Sequence, residues 1–168
     1  MESQRGIANL MAKLIATRAP AATVLVRLMV GAVFSSEGVQ KLLFPAALGV
    51  GRFARIGIPW PGASAPFVAV VEIGCGVLVG CGLATRLAAL PLVIDILVAI
   101  ASTKIPMLLG KGFWSMAHEA RTDLCMLLGA LFLLIEGGGP WSLDARLVRP
   151  RPGSPAQPGS PAPAPVDR

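Results

Sequence analysis

Four apolar stretches, at residues 21–44, 65–83, 87–103 and 122–137, dominate the chain, and each carries ionisable side chains within it or at its edge. Arg27, Glu37 and Lys41 interrupt the first, Glu72 the second and Asp95 the third, while Asp123 and Glu136 bracket the fourth. A helix that crosses a bilayer needs about 20 apolar residues. A charge at mid-membrane costs about 2.5–3.5 kcal/mol, whereas each Leu, Ile, Val or Phe returns only about 0.3–0.6 kcal/mol. The first stretch is therefore marginal by itself and needs partners whose opposite charges meet its own. The pattern predicts an all-α fold, an integral membrane four-helix bundle with its charges turned inward.

Composition agrees with that constraint. Of 168 residues, 54% are hydrophobic and 14% charged, against about 25% charged in ordinary soluble domains, and the mean hydropathy is +0.70. A large soluble catalytic domain is excluded. The net charge of +6 could suggest nucleic acid, but aromatic residues make up 5%, Tyr is absent and the basic residues do not cluster, so the stacking and phosphate contacts that nucleic acid requires are missing. Topology explains the charge instead. One set of flanks holds Arg5, Lys13, Arg18, Arg86, Arg146, Arg149, Arg151 and Arg168; the other holds Arg52, Arg55, Lys111 and Arg121, with Lys41 and Lys104 at helix ends. That excess places both termini in the cytoplasm, with the chain crossing the membrane several times.

Three regions follow. Residues 1–19 place Ile7, Leu10, Met11, Leu14 and Ile15 at spacings of three and four, which predicts an amphipathic helix in the membrane interface. A cleaved secretory signal fits less well, because the apolar run beyond Pro20 meets Arg27 and Glu37 rather than a small-residue cleavage site. Residues 20–148 form the transmembrane domain. Residues 149–168, with Pro at seven positions, form a disordered, extended tail. Within the domain, residues 45–64 read as a structured loop with Trp60 as an interface anchor. The short turn at 84–86 makes the second and third helices an antiparallel hairpin. Pro106 and Gly110 are expected to end the third helix, leaving a second loop up to Arg121. The Gly-Gly-Gly-Pro run from Gly137 ends the fourth, with Trp141 near the headgroups.

At the spans and their ends, Arg27, Lys41, Arg86, Lys104 and Arg121 face an equal number of acids, Glu37, Glu72, Asp95, Asp123 and Glu136. Buried ions need such pairing. Alternating helix directions sort them into two layers: Glu37, Lys41, Glu72, Lys104, Arg121 and Asp123 toward the outside, and Arg27, Arg86, Asp95 and Glu136 toward the inside. Arg27, Gly31, Phe34, Gly38 and Lys41 share one helix face, as do Glu72, Gly76, Val79, Leu83 and Arg86, and the small residues allow close helix approach. Gly76 and Gly80 make a GxxxG pair. Lys41, Arg86 and Glu136 read as structural ion pairs or snorkelling ends. Glu72 and Asp95 are candidates for proton transfer or ligand binding.

The candidate ligand-binding polar cluster comprises Arg27, Glu37, Lys41, Glu72, Asp95, Lys104, His118, Glu119, Arg121 and Asp123. No catalytic residue stands out. His118 has no second His or suitably placed Cys, so no metal is expected. It reads as a helix-start or loop residue, with acid–base or ligand contact as the alternative. Cys75, Cys81 and Cys125 show no CxxC pairing and read as small buried packers.

The run from Arg27 to Leu42, with its Arg, spaced glycines and Gln-Lys-Leu end, resembles the first helix of the DoxX family of small bacterial membrane proteins. The run from Glu72 to Leu90, with its Thr85-Arg86 turn, is similar to that family's second helix, and Ser142-Leu143-Asp144 to its Ser-Leu-Asp ending. The resemblance covers residues 21–147. It implies an inner-membrane four-helix bundle. It also implies an auxiliary, non-catalytic subunit of a membrane-associated redox assembly, with quinone as a ligand and soluble redox proteins or another membrane subunit as partners beside the lipid bilayer. No paired-cysteine redox motif, heme or flavin signature accompanies it, so catalysis by this chain alone is not expected. A small transporter or proton-coupled permease is the alternative drawn from the buried charges, and a structural membrane anchor the one drawn from the termini.

Overall fold

A computed structural model describes residues 20–148; the expected interfacial helix at 1–19 and Pro-rich tail at 149–168 lie outside the described residues. In order these form α1 (Thr23–Leu43), α2 (Val50–Arg55), α3 (Pro61–Cys81), α4 (Thr85–Ala99), a π-helical turn (Ile100–Lys104), α5 (Ile105–Lys111), α6 (Phe113–Glu119), α7 (Arg121–Glu136) and α8 (Leu143–Val148). Among the described residues there is no strand. The long helices α1, α3, α4 and α7 pack on one another, most extensively α1 against α3 and α4 against α7. One end of the packed helices lies toward the termini, where α1 begins, α3 turns into α4, and α7 passes into α8. The far end holds α2, α5 and α6.

Two helices are long and apolar enough to cross a membrane by those criteria, Pro61–Cys81 and the continuous run Thr85–Lys111. Helix α1 is diluted by Arg27, Glu37 and Lys41, and α7 has only 16 residues. The polarity of the packed helices is inverted relative to a soluble protein. Leu25, Phe67, Val70, Ile94, Leu128 and Ile135 face outward, while Arg27, Glu72, Thr85 and Asp144 are buried. An exterior of this kind suits hydrocarbon, which needs no hydrogen bonds from the helices it surrounds.

Close helix approach fixes the α1–α3 contact. A Cβ on Gly31 would lie 2.6 Å from the Gly76 carbonyl oxygen and 2.9 Å from the Gly80 Cα, so the GxxxG pair of α3 seats directly on the glycine face of α1. Around it, Val30, Phe34, Val79, Leu92, Ala130 and Leu133 form a fully buried apolar layer. Both small-residue faces point inward, Arg27, Gly31, Phe34 and Gly38 on α1 and Glu72, Gly76 and Val79 on α3. The α3 face stops at Val79, because Gly82, at φ 71°, closes the helix. Its N–H donates to the Val79 carbonyl and that of Leu83 to the Leu78 carbonyl, the paired bonds of a Schellman ending. Leu83 and Arg86 therefore lie beyond the helix, off the predicted face.

The third helix corrects the expectation that Pro106 and Gly110 end it. The run continues to Lys111, because the wide π turn at Ile100–Lys104 lets Pro106 fall in the first turn of α5, where a missing N–H removes nothing. The expected loop beyond it is also helical, as α6, entered through Gly112 at φ 82°.

Candidate functional site

Two polar centres sit at opposite ends of α1, Arg27 in its second turn and Lys41 in its last. Fourteen residues of helix at 1.5 Å each put them about 20 Å apart along the axis.

At the terminal end Arg27 is 3% exposed. It donates from Nη1 to the Gly138 carbonyl at 2.8 Å and from Nη2 to the Gly80 carbonyl at 3.2 Å. The Asp144 carboxylate acts on it electrostatically. Asp144 is otherwise engaged: Oδ1 accepts from the Ala84 N–H at 2.7 Å, and Oδ2 from the Thr85 N–H and hydroxyl, both at 2.9 Å. It thus caps α4 from another helix, satisfying N–H groups that no intrahelical carbonyl reaches. Ser142 donates to the Gly139 carbonyl and accepts from the Ala145 N–H, starting α8 and aiming Asp144. Arg86 lies nearby and donates to the Ile135 carbonyl at 2.7 Å. These groups close the ends of the helices that meet here.

The far end differs. Lys41 Nζ lies 2.7 Å from both carboxylate oxygens of Glu72 and 3.9 Å from Glu37. Glu72 is 3% exposed. Asp95, from α4, lines the same cavity as Glu72 and acts on it electrostatically. Lys104, at the end of the π turn, pairs with Asp123 of α7 at 3.1 Å. These groups line a cavity of about 420 Å³, within the range of small-molecule sites. Its apolar wall includes Phe34, Val68, Ile96 and Met126, and α2 contributes Arg52 and Phe53 to its rim.

The cluster expected from sequence divides in three. Glu37, Lys41, Glu72, Asp95, Lys104, Glu119 and Asp123 all line the far cavity. Asp95 corrects its expected layer, for it stands level with Glu72 rather than with Arg27. Arg27 belongs to the terminal-end clamp, where backbone carbonyls supply its hydrogen bonds. His118 and Arg121 stand apart: Arg121 Nε donates to the His118 carbonyl at 2.7 Å, and its Nη2 meets His118 Nε2 at 3.1 Å. Since Arg has only donors, Nε2 is the acceptor there. His118 and Glu119 border a second, more open hollow of about 470 Å³ beside Trp114. Among the described residues no three His, Cys, Asp or Glu side chains converge as metal ligands. The cysteines also differ from expectation, since Cys81 and Cys125 face outward and Cys75 is half-buried. Arg52 and the Thr85–Asp144 clamp were not among the expected site residues. Arg52 gave no sequence signal, whereas Ser142, three residues before Ala145, has the spacing of a helix cap.

The family model for DoxX matches residues 22–105. The chain is 54% identical over 143 residues to the uncharacterized membrane protein Rv3486 of Mycobacterium tuberculosis, a match that covers 82% of this chain and 88% of the mycobacterial one. No solved structure matches it.

Proposed function

This chain belongs to the DoxX family and is a membrane protein, and from that premise we propose that it forms a multi-pass four-helix bundle in the bacterial inner membrane, serving as an auxiliary subunit of a redox assembly. Both termini lie in the cytoplasm, which puts the cavity on the outer side. The observation that carries this reading is the far cavity, where an apolar wall faces Lys41, Glu72 and Asp95. A flat apolar ligand with polar oxygens, such as a quinone, fits that chemistry: Phe34, Ile96 and Met126 would hold its apolar part, and the Lys41 ammonium would supply a hydrogen-bond donor. A bound quinone supplies two-electron, two-proton redox chemistry. The protein's own residues bind and orient it, keep water from its ring and hold a proton at the carboxyl oxygens. Electrons come from a partner, a soluble redox protein or a second membrane subunit.

The test is purification of the full chain from native membranes, with extraction of bound lipids and identification of copurifying proteins. Quinone near one per chain, depleted in Lys41→Met, supports the reading. Neither quinone nor a redox partner, together with no redox phenotype on deletion, rejects it. A second reading, a proton-coupled permease, draws on the Glu72–Asp95 carboxyl pair. A permease must open at both ends, so it requires the Arg27 clamp to come apart, and solute-driven proton flux in proteoliposomes distinguishes it.

A further inference from the structure

The Lys41–Glu72 ion pair needs one carboxylate. Glu72 provides it with both oxygens at 2.7 Å, yet a second acid from a different helix, Asp95, lines the same cavity within electrostatic reach of Glu72. Among the described residues no cation forms an ion pair with Asp95, and an unpaired carboxylate in this interior would be costly. Two carboxyl groups that share a site beside a single ammonium avoid a second negative charge by keeping one proton between them. Both groups line the same cavity.

The other charged groups facing the pair are committed or peripheral. From α1, Lys41 holds Glu72, and Glu37 is half exposed at 3.9 Å from Lys41. Lys104 of the π turn is paired with Asp123 of α7. Arg52 of α2 and Glu119 of α6 stand at the cavity wall and are exposed. Toward the terminal end, by contrast, Val30, Val79, Leu92, Ala130 and Leu133 form a buried apolar layer.

We propose that Glu72 and Asp95 form a one-proton store that exchanges with the far cavity and not with the terminal end. The shared proton leaves a carboxyl oxygen for an acceptor oxygen in the cavity, water or ligand. Two carboxylates then remain beside the Lys41 ammonium until a proton returns by the same route. This rests on the cavity described above but not on its ligand being a quinone.

Dicyclohexylcarbodiimide is the probe. It attacks carboxylic acids: the acid proton moves to a carbodiimide nitrogen, the carboxylate oxygen bonds the central carbon, and rearrangement leaves a stable N-acylurea. In the purified full chain, stripped of lipid and quinone, peptide mapping should find the label on Glu72 or Asp95. With Glu72→Gln the label on Asp95, and with Asp95→Asn the label on Glu72, should fall by roughly tenfold, because each lone acid ionises against Lys41. Lys41→Met should preserve the label to higher pH. An unlabelled wild type, or a remaining acid labelled as well as before, overturns the proposal. In oriented vesicles a water-soluble carbodiimide should label only from the far side, and equal labelling from both sides overturns the one-sided exchange. Should the variants fail to fold, the wild type still decides. A protonated-carboxyl infrared band near neutral pH, lost on raising the pH in deuterated buffer, is expected, and its absence overturns the store. Quinone retention is measured separately, so either result can fail without the other.

Discussion

The two ends of α1 solve the same problem, a cation inside an apolar bundle, in opposite ways. At the terminal end Arg27 is held by the carbonyls of Gly138 and Gly80, and the nearby acid Asp144 has its oxygens engaged by Ala84 and Thr85. Fixed backbone and helix ends surround that charge. At the far end Lys41 meets the Glu72 carboxylate of α3 beside a cavity of about 420 Å³. More acids line it than its Lys41–Glu72 and Lys104–Asp123 pairs require. Charge satisfied by backbone builds structure; charge satisfied by surplus side chains next to a void leaves room for chemistry.

That contrast fails if the two ends respond alike to mutation. The largest effect is expected at the terminal end. Asp144→Ala removes the acceptor for three hydrogen bonds at a buried helix start together with the charge facing Arg27, a class of change that costs about 3–5 kcal/mol. Equilibrium unfolding in detergent, or the yield of folded protein, measures it. Next comes the helix contact between the ends. Gly31→Leu drives a side chain into the Gly76 carbonyl, which a Cβ alone would approach to 2.6 Å. Overpacking costs about 1–3 kcal/mol where side chains can shift, and here the obstacle is backbone, so the upper end is expected. A Gly31→Leu protein as stable as wild type would show that α1 and α3 are not in this register.

Much of this division is written in the sequence, and the parts that are not share a cause. The small-residue faces of α1 and α3 follow from residue spacing alone, since helix period and side-chain size decide them together. The level pairing of Glu72 with Asp95 was also available. Glu72 lies ten residues before Gly82 and Asp95 eleven after Ala84, and the arms of an antiparallel hairpin rise equally from their turn. Position within its own helix assigns Asp95 to the wrong layer, whereas distance from the turn sets it level with Glu72. The continuation past Pro106 was hidden because one wide turn, set by packing around Lys104 and Asp123, overrides a local breaker. The capping of Thr85 by Asp144 joins positions nearly sixty residues apart, and local pattern does not report such tertiary contacts. Arg121 could reach inward by length, but the carbonyl and ring of His118 hold it outside.

A smaller stability change is expected at the far end. Glu72→Gln keeps a hydrogen-bonding oxygen for Lys41, and Glu37 remains as a counter-charge at 3.9 Å. Asp95→Asn keeps the contact to Glu72. Each should cost about 1 kcal/mol, the value of a typical hydrogen bond, while lowering ligand retention far more than stability. The pair is best compared with Asp144→Ala under one denaturant. A loss from Glu72→Gln as large as that from Asp144→Ala would place both ends in the structural class.

The smallest effect has the opposite sign and examines the terminal clamp from within. Ala84 sits at φ 48°, a left-handed conformation that costs a residue with a Cβ about 1–2 kcal/mol. Asp144 holds it there through the Ala84 N–H. Ala84→Gly removes the steric cost but adds about 0.5–1 kcal/mol of unfolded-chain entropy, leaving a net gain of up to about 1 kcal/mol. In an Asp144→Ala background the turn has lost the bonds that hold the left-handed conformation, so the same Gly should help more and recover part of the loss. A double-mutant cycle over the two positions measures that coupling directly. Strict additivity would mean that Asp144 stabilises α4 without holding the turn, and the clamp would then reduce to an ordinary helix cap.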